Sequence, residues 1–285
     1  MSTSIEHINI RPGVSILSVL KHLNYKPWFA LAEFVDNAVQ SYLEHEEELK
    51  RAEGSDFKLL VSIDIDSTED GKITVRDNAA GIYEADYPRA FRPAAVPPDR
   101  TGLNEFGMGM KSAACWFAEN FVVRTAALGE DVAREVTFDV NQIIQDSMEE
   151  LSIRSDSKDE NVHFTSIVLS KLHQPLAGKT IAKIKEHLSG IYREFIRKGL
   201  LELKFNGEPL LYSEPSVLSA RYYKDELAEP VLWKKEINFD LGGGLKASGF
   251  AALRETASLS SAGFALFRRN RVIQGSGDEG YRPEY

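Results

Sequence analysis

The stretch "ALAEFVDNAVQSY", Ala30–Tyr42, sets Glu33, Asp36 and Asn37 inside an otherwise apolar helical pattern. At about 100° per residue, Trp28, Leu31, Val35, Ala38, Val39 and Tyr42 share one face, and Glu33 and Asn37 meet on the opposite one. Two carboxylates and an amide are costly to bury without partners, so their presence asks for a reason. One reading is an amphipathic helix with a wet face. The other is chemical: a carboxylate that activates water beside an amide oxygen for a hard cation such as magnesium, which takes oxygen ligands and keeps several waters.

Two further stretches carry the same kind of ambiguity. In "ITVRDNAAGI", Ile73–Ile82, an apolar strand ends in Asp77 and then in small residues and Gly81. That is a turn signal, and it is also a place where a carboxylate could accept a hydrogen bond from a purine amine while a flat base approaches the backbone. In "LNEFGMGMKSAACW", Gly107 and Gly109 open a helix, with Lys111 and Ser112 just inside it. Glycines there permit tight packing, or they turn backbone N–H groups toward an anion at a helix N-terminus. The spacing is not GxxxxGK[ST], so a Walker loop is not expected.

Around these stretches, hydrophobic periodicity predicts helices over 14–25 and 27–52, with Pro27 suited to a first turn. Two strands follow over 57–65 and 72–78, a short helix over 83–91, and a long loop rich in Pro, Gly and charge. A helix over 108–119 precedes strands at 121–128, 134–140 and 164–172. Beyond these lie an amphipathic helix over 180–199 and strand-like pieces at 201–207, 234–241, 245–253 and 263–273. The change in pattern places a domain boundary near residue 172, dividing the chain into 1–172 and 173–285.

Composition narrows the classes. A hydrophobic fraction of 43% in 285 residues supports a sizeable core, and a net charge of −9 argues against a surface devoted to nucleic acid. The single cysteine, Cys115, excludes an intramolecular disulfide framework, and no CxxC pair or His/Cys cluster offers a zinc site. No run approaches the roughly 18 apolar residues of a membrane span. The expectation is a cytoplasmic protein.

The order and spacing of the three stretches resemble the motifs of the GHKL superfamily, the ATPases that group DNA gyrase B, the ninety-kilodalton heat-shock chaperone, histidine kinases and MutL. "ExxDNA" at Glu33–Ala38 is similar to their first motif, "DNAAGI" from Asp77 to the second and "GMGMKS" from Gly107 to the third; "HFTSIVL", His163–Leu169, is similar to the fourth. "ALAEFVDNAVQS" followed by "FGMGMKSA" is closest in flavour to the MORC ATPases and their bacterial relatives. The resemblance implies an α+β fold: a Bergerat-type sandwich with helices on one face of a mixed sheet, followed by a smaller transducer-like α/β domain. It implies ATP and Mg2+ as ligands, with Glu33 as the general base, Asn37 as the magnesium ligand and Asp36 in a supporting role. Asp77 and Thr165 would hold adenine, Gly81 and Ile82 would line the base pocket, and Gly107, Met108, Gly109, Met110 and Lys111 would surround the phosphates. The loop from about Arg92 to Phe106 would be an ATP lid.

The resemblance further implies slow hydrolysis that gates a homodimer through the lid and residues 1 to about 25, with DNA as a partner only by analogy and no membrane. Three departures stand out: Ala79 replaces a Gly of the second motif, Phe164 replaces a Gly of the fourth, and Gln274 falls where a transducer lysine is expected. Phe164 is therefore expected to narrow the adenine pocket or shift its access. Lys234, Lys235, Lys246, Arg269 and Arg271 are the candidate substitutes for the missing lysine. The second reading consistent with these departures is a nucleotide-binding switch that does not hydrolyse. A histidine kinase is disfavoured, because no phosphoacceptor helix with a His precedes the ATP-binding motifs.

Overall fold

The computed structural model describes residues 13–92, 102–103, 107–225 and 227–282. The chain begins with α1 (Ile16–Leu20), α2 (Pro27–Glu44) and α3 (Glu46–Glu53). Pro27 stands at the start of α2, where its missing N–H costs nothing. The helix predicted over 27–52 is interrupted at His45 (φ −121°), whose N–H turns back to the Ser41 and Tyr42 carbonyls. The two halves differ in environment: α2 buries ten residues, whereas α3 buries only Leu49 and presents charge to solvent. The helix predicted over 14–25 shortens to α1, and beyond it the Leu23 carbonyl accepts from the Trp116 indole at 2.9 Å.

Next come β1 (Leu59–Ile65), β2 (Ile73–Asp77), α4 (Tyr87–Phe91), α5 (Gly109–Phe117), β3 (Ala118–Ala126) and β4 (Val132–Asp139). They are followed by α6 (Val140–Gln145), β5 (Ile153–Ser157), β6 (Phe164–Leu172), α7 (Lys179–Ile191), α8 (Arg193–Arg197), β7 (Leu201–Phe205) and β8 (Glu208–Pro209). Eight strands form one mixed sheet in the order β5-β4-β3-β6-β2-β1-β7-β8. All pairings are antiparallel except that of β7 with β1.

Register explains how one face becomes the core. Phe205, Ile63, Val75, Ile167, Val123 and Val136 follow one another across neighbouring strands, and all are buried. Because side chains alternate along a strand, the intervening residues, such as Arg76, Ser166 and Arg124, face the other side. Helices cover the apolar face, with α2 against β1, α5 against β3 and β6, and α8 against β7. Helix α2 is itself wedged between α5 and α7, which buries Leu31 and Val35 completely. Each such side chain contributes about 1.5–3 kcal/mol. This is the α+β sandwich expected, with helices on one face of a mixed sheet.

The boundary expected near residue 172 falls between β6 and α7, but the sheet continues past it. Strand β7 pairs with β1 from Leu59↔Leu201 to Ile63↔Phe205, because Leu201, Leu203 and Phe205 extend the same apolar face. Beyond residue 210 the described strands are short pairs: β9 (Ser219–Ala220) with β10 (Val231–Leu232), β11 (Lys234–Asp240) with β12 (Lys246–Ala252), and β13 (Leu266–Arg268) with β14 (Arg271–Gln274). Among the described residues, no helix is long and apolar enough to cross a membrane.

Candidate functional site

The end of the sheet near Asp77 opens into a cleft of about 430 Å³, within the usual range of small-molecule sites. Glu33, Asn37, Asp77, Gly81, Ile82, Gly107, Met108, Gly109, Met110, Lys111 and Thr165 all line it. The sequence separates these residues by up to 132 positions; the fold brings every one of them to a single cavity. Most of the expected lid, 93–101 and 104–106, and residues 1–12 of the expected N-terminal segment lie outside the described residues.

The floor follows from sheet register. Asp77 pairs with Val61 on one side and Thr165 on the other, and Thr165 pairs with Thr125, so these groups lie in one row on the helix-covered face. The Asp77 carboxylate accepts from the Ala79 N–H at 2.9 Å, and burial pushes its carboxyl up to about 7. Thr125 Oγ1 accepts from the Ile82 N–H at 2.9 Å and lies 3.2 Å from Thr165 Oγ1. Gly81 has φ +80°, and a Cβ there would fall 2.0 Å from the Ala126 carbonyl oxygen, so only glycine fits this turn. His163 Nδ1 lies 2.9 Å from the Ala79 carbonyl and steadies the same loop.

Phe164 does not narrow the cleft. One residue out of phase with Thr165, it turns to the opposite face, where the Arg76 guanidinium lies 5.0 Å from its ring centroid. Ala79 is 1% exposed and does not line the cavity.

One wall is α2. Glu33, Asn37, Gln40, Ser41 and Glu44 line the cleft at helical spacing, while Leu31, Val35 and Val39 fill the core. Burial, reinforced by the neighbouring Asp36 charge, pushes the Glu33 carboxyl up to about 7; Arg271 and Tyr25 work against that rise. Tyr25 lies 3.1 Å from Ser112 Oγ in the first turn of α5. Gln40 accepts from the Leu103 N–H at 2.6 Å and so ties down one end of the expected lid.

Facing Glu33 is the N-terminus of α5. Gly107 has φ +62°, and the N-cap residue Met108 has no capping side chain of its own, so a helix N-terminus, which favours negative charge, borders the cleft. A Cβ on Gly109 would fall 2.1 Å from Glu33 Oε2; the absent side chain is what lets the carboxylate approach. Lys111 lines the cleft, but its ammonium donates to the Arg89 and Ala90 carbonyls at 3.2 and 2.8 Å. Burial and the Arg89 charge hold it down at about 8.

The last wall is the β13–β14 hairpin, which contributes Arg268, Arg269, Arg271 and Ile273. Of the six positions weighed for a cation, only Arg269 and Arg271 line the cleft. Arg269 donates to the Gly102 carbonyl. Gln274 does not line it, and Lys234 and Lys246 pair with Glu236 and Asp240 on the β11–β12 hairpin. Sequence reasoning missed Tyr25, Gln40, Thr125 and Tyr192, whose partners are distant in the chain. For Thr125 alone there was a signal, a hydroxyl in phase with the apolar Phe121 and Val123 of its strand.

The oxygen donors beside Glu33 fit a hard cation: Asn37 supplies an amide oxygen on the same face of α2, and the cleft is open enough to retain water ligands. A second group of ligand-type side chains, His187, Asp278 and Glu279, lies outside the cleft. Lys183 and Lys26 already pair with its two carboxylates.

The sequence model describing histidine kinase-, DNA gyrase B- and HSP90-like ATPases matches residues 25–169, just over half of the chain. No curated protein matches the chain. The matched span begins at Tyr25 and ends in β6, and it contains Glu33, Asp77, Gly109 and Thr165 of the cleft. The chain belongs to the histidine kinase-, DNA gyrase B- and HSP90-like ATPase family, the GHKL superfamily.

Proposed function

We propose that the chain binds ATP with Mg2+ and hydrolyses it slowly to ADP and phosphate. The observation that carries this reading is the convergence of Glu33, Asn37, Asp77, Thr165 and the N-terminus of α5 on one cleft. Asp77 accepts from the adenine amine, Thr165 helps to hold the base, and Gly81 and Ile82 line its pocket. Gly107, Met108, Gly109 and Met110 present backbone at the phosphates, where the helix terminus favours negative charge. Lys111 acts beside them through the α4 carbonyls it binds. Asn37 would hold the magnesium ion, which neutralises phosphate charge.

Glu33 then orients a water and takes its proton as the oxygen attacks the γ-phosphorus. The bond to the β-phosphate oxygen breaks, and ADP leaves with the electron pair. A carboxyl near pH 7 suits a general base at neutral pH. Hydrolysis of this kind would gate a homodimer in a MORC-, MutL- or gyrase B-like machine, with residues 1 to about 25 and the lid engaging the second copy. The hairpins beyond residue 210 would serve as the transducer.

A second reading, a switch that binds nucleotide without cleaving it, is favoured by the engagement of Lys111 with backbone carbonyls. ATP turnover measured with magnesium at several protein concentrations, beside Glu33→Ala and a direct ATP titration, separates the two. Turnover that rises with concentration and vanishes in Glu33→Ala supports the ATPase. Binding without turnover supports the switch, and no binding refutes both.

A further inference from the structure

Asp36 is the least expected group in the molecule. It is 5% exposed in the middle of α2, one turn from Glu33, and it borders the same cleft as Glu33, Asn37 and Arg271. A buried carboxylate is tolerated only with partners, and both of its partners come from beyond the residues that match the family. The Tyr192 hydroxyl, at the end of α7, lies 2.7 Å from Asp36 Oδ1 and 2.8 Å from the Ala32 carbonyl. Arg271 Nε, on β14, donates to the same Asp36 oxygen at 2.8 Å. Burial works against the Arg271 charge, but Tyr192 and Asp36 outweigh it and hold the guanidinium protonated.

The hairpin that carries Arg271 is held at several other points. The Arg193 guanidinium lies 4.5 Å from the Phe267 ring centroid, Lys198 Nζ donates to Asn270 at 2.9 Å, and Arg269 reaches the Gly102 carbonyl. A well-packed apolar pair would join helix and hairpin at less desolvation cost than a buried ion pair. What the ion pair adds is register: it is satisfied in one hairpin position only, the one that places Arg268 and Arg269 in the cleft wall.

We propose that Arg271 is a positioning residue for the reaction at Glu33: anchored to Asp36 and Tyr192, it seats the β13–β14 hairpin on the helix that carries the base and completes the cleft wall. This rests on the reading of Glu33 given above. Without Arg271, Asp36 would stand as an unpaired buried charge one turn from Glu33, and the hairpin would lose its register.

The experiment uses the full chain with Arg271→Met, Arg271→Lys and Tyr192→Phe. It measures ATP affinity, kcat and KM with magnesium, and amide exchange over residues 27–44 and 266–274. Arg271→Met is expected to lower kcat on the order of 10²-fold, as misplaced catalytic groups do, to leave ATP affinity within about threefold of wild type, and to speed exchange at 266–274. Arg271→Lys should recover part of kcat, and Tyr192→Phe should lower it about tenfold without a change in fold. If Arg271→Met does not fold, the other two variants decide. Wild-type kcat and exchange, or a kcat loss matched by an equal loss of ATP affinity, would overturn the proposal. Undiminished turnover in Glu33→Ala would instead remove the reading of the base, while exchange at 266–274 still decides whether Arg271 seats the hairpin.

Discussion

Replacing Asp77 by Asn should stabilise the protein at alkaline pH while it weakens ATP binding. Burial lifts the Asp77 carboxyl from its ordinary 3.8 to about 7, against the Ala79 and Thr165 amides and the Arg76 charge. That rise corresponds to about 4 kcal/mol at 1.36 kcal/mol per pH unit. The sign follows from proton linkage. Below the unfolded value both states are protonated and stability is complete; as pH climbs toward 7, the unfolded chain ionises first and stability falls, levelling once the folded carboxyl has ionised. Asp77 faces an open cleft whose water screens part of this cost, so about 1–2 kcal/mol is expected between pH 5 and 8. Asn keeps the shape and does not titrate.

Denaturant unfolding of both proteins at pH 5 and pH 8 measures the difference, in which all other titrating groups cancel. Relative to wild type, Asp77→Asn should gain about 1–2 kcal/mol on going to pH 8. Its ATP affinity should fall by about 10- to 100-fold, the worth of a hydrogen bond to a charged group. A stability difference that is the same at both pH values would refute the burial argument. Undiminished ATP affinity would refute the assignment of Asp77 to adenine.

Three other outcomes follow from the cleft. With Glu33 held near 7 in the free protein, kcat/KM should fall about tenfold per pH unit below that value and level above it; a flat profile would exclude Glu33 as the titrating base. In Gly109→Ala the new methyl would fall 2.1 Å from Glu33 Oε2, so kcat should drop on the order of 10²-fold with the far-ultraviolet spectrum unchanged. Lys111→Met leaves the Arg89 and Ala90 carbonyls without their donor and should cost about 1–3 kcal/mol of stability, read from a shift in the denaturation midpoint.

Much of the site was legible in the sequence because its residues stand in short, local patterns. Glu33 and Asn37 are four apart on one helix, Asp77 ends a strand beside Gly81, and Gly107 and Gly109 open a helix. In each case the local backbone geometry decides where the group points. Lys111 shows the limit of that logic: it follows Gly109 by two residues, as a phosphate-binding lysine would, yet its ammonium is directed onto α4. Phe164 shows another limit, since its effect on the cleft depended on which face of β6 it occupies, and cross-strand register decides that. The break at His45 was hidden because helical periodicity runs through it while the packing environment changes.

Local patterns in the chain were enough to place the main strands and helices around the cleft and the chemistry offered at their ends, because hydrophobic period, turn residues and helix-opening glycines act within a few residues of one another; the edge strand β5 and the short helix α6 carry no such pattern. Long-range packing alone sets β7 into the sheet beside β1 and brings Tyr192 and Arg271 to Asp36 across 156 and 235 residues of chain. A buried carboxylate states that a partner must exist; which residue answers it depends on how distant segments pack, and no local pattern encodes that.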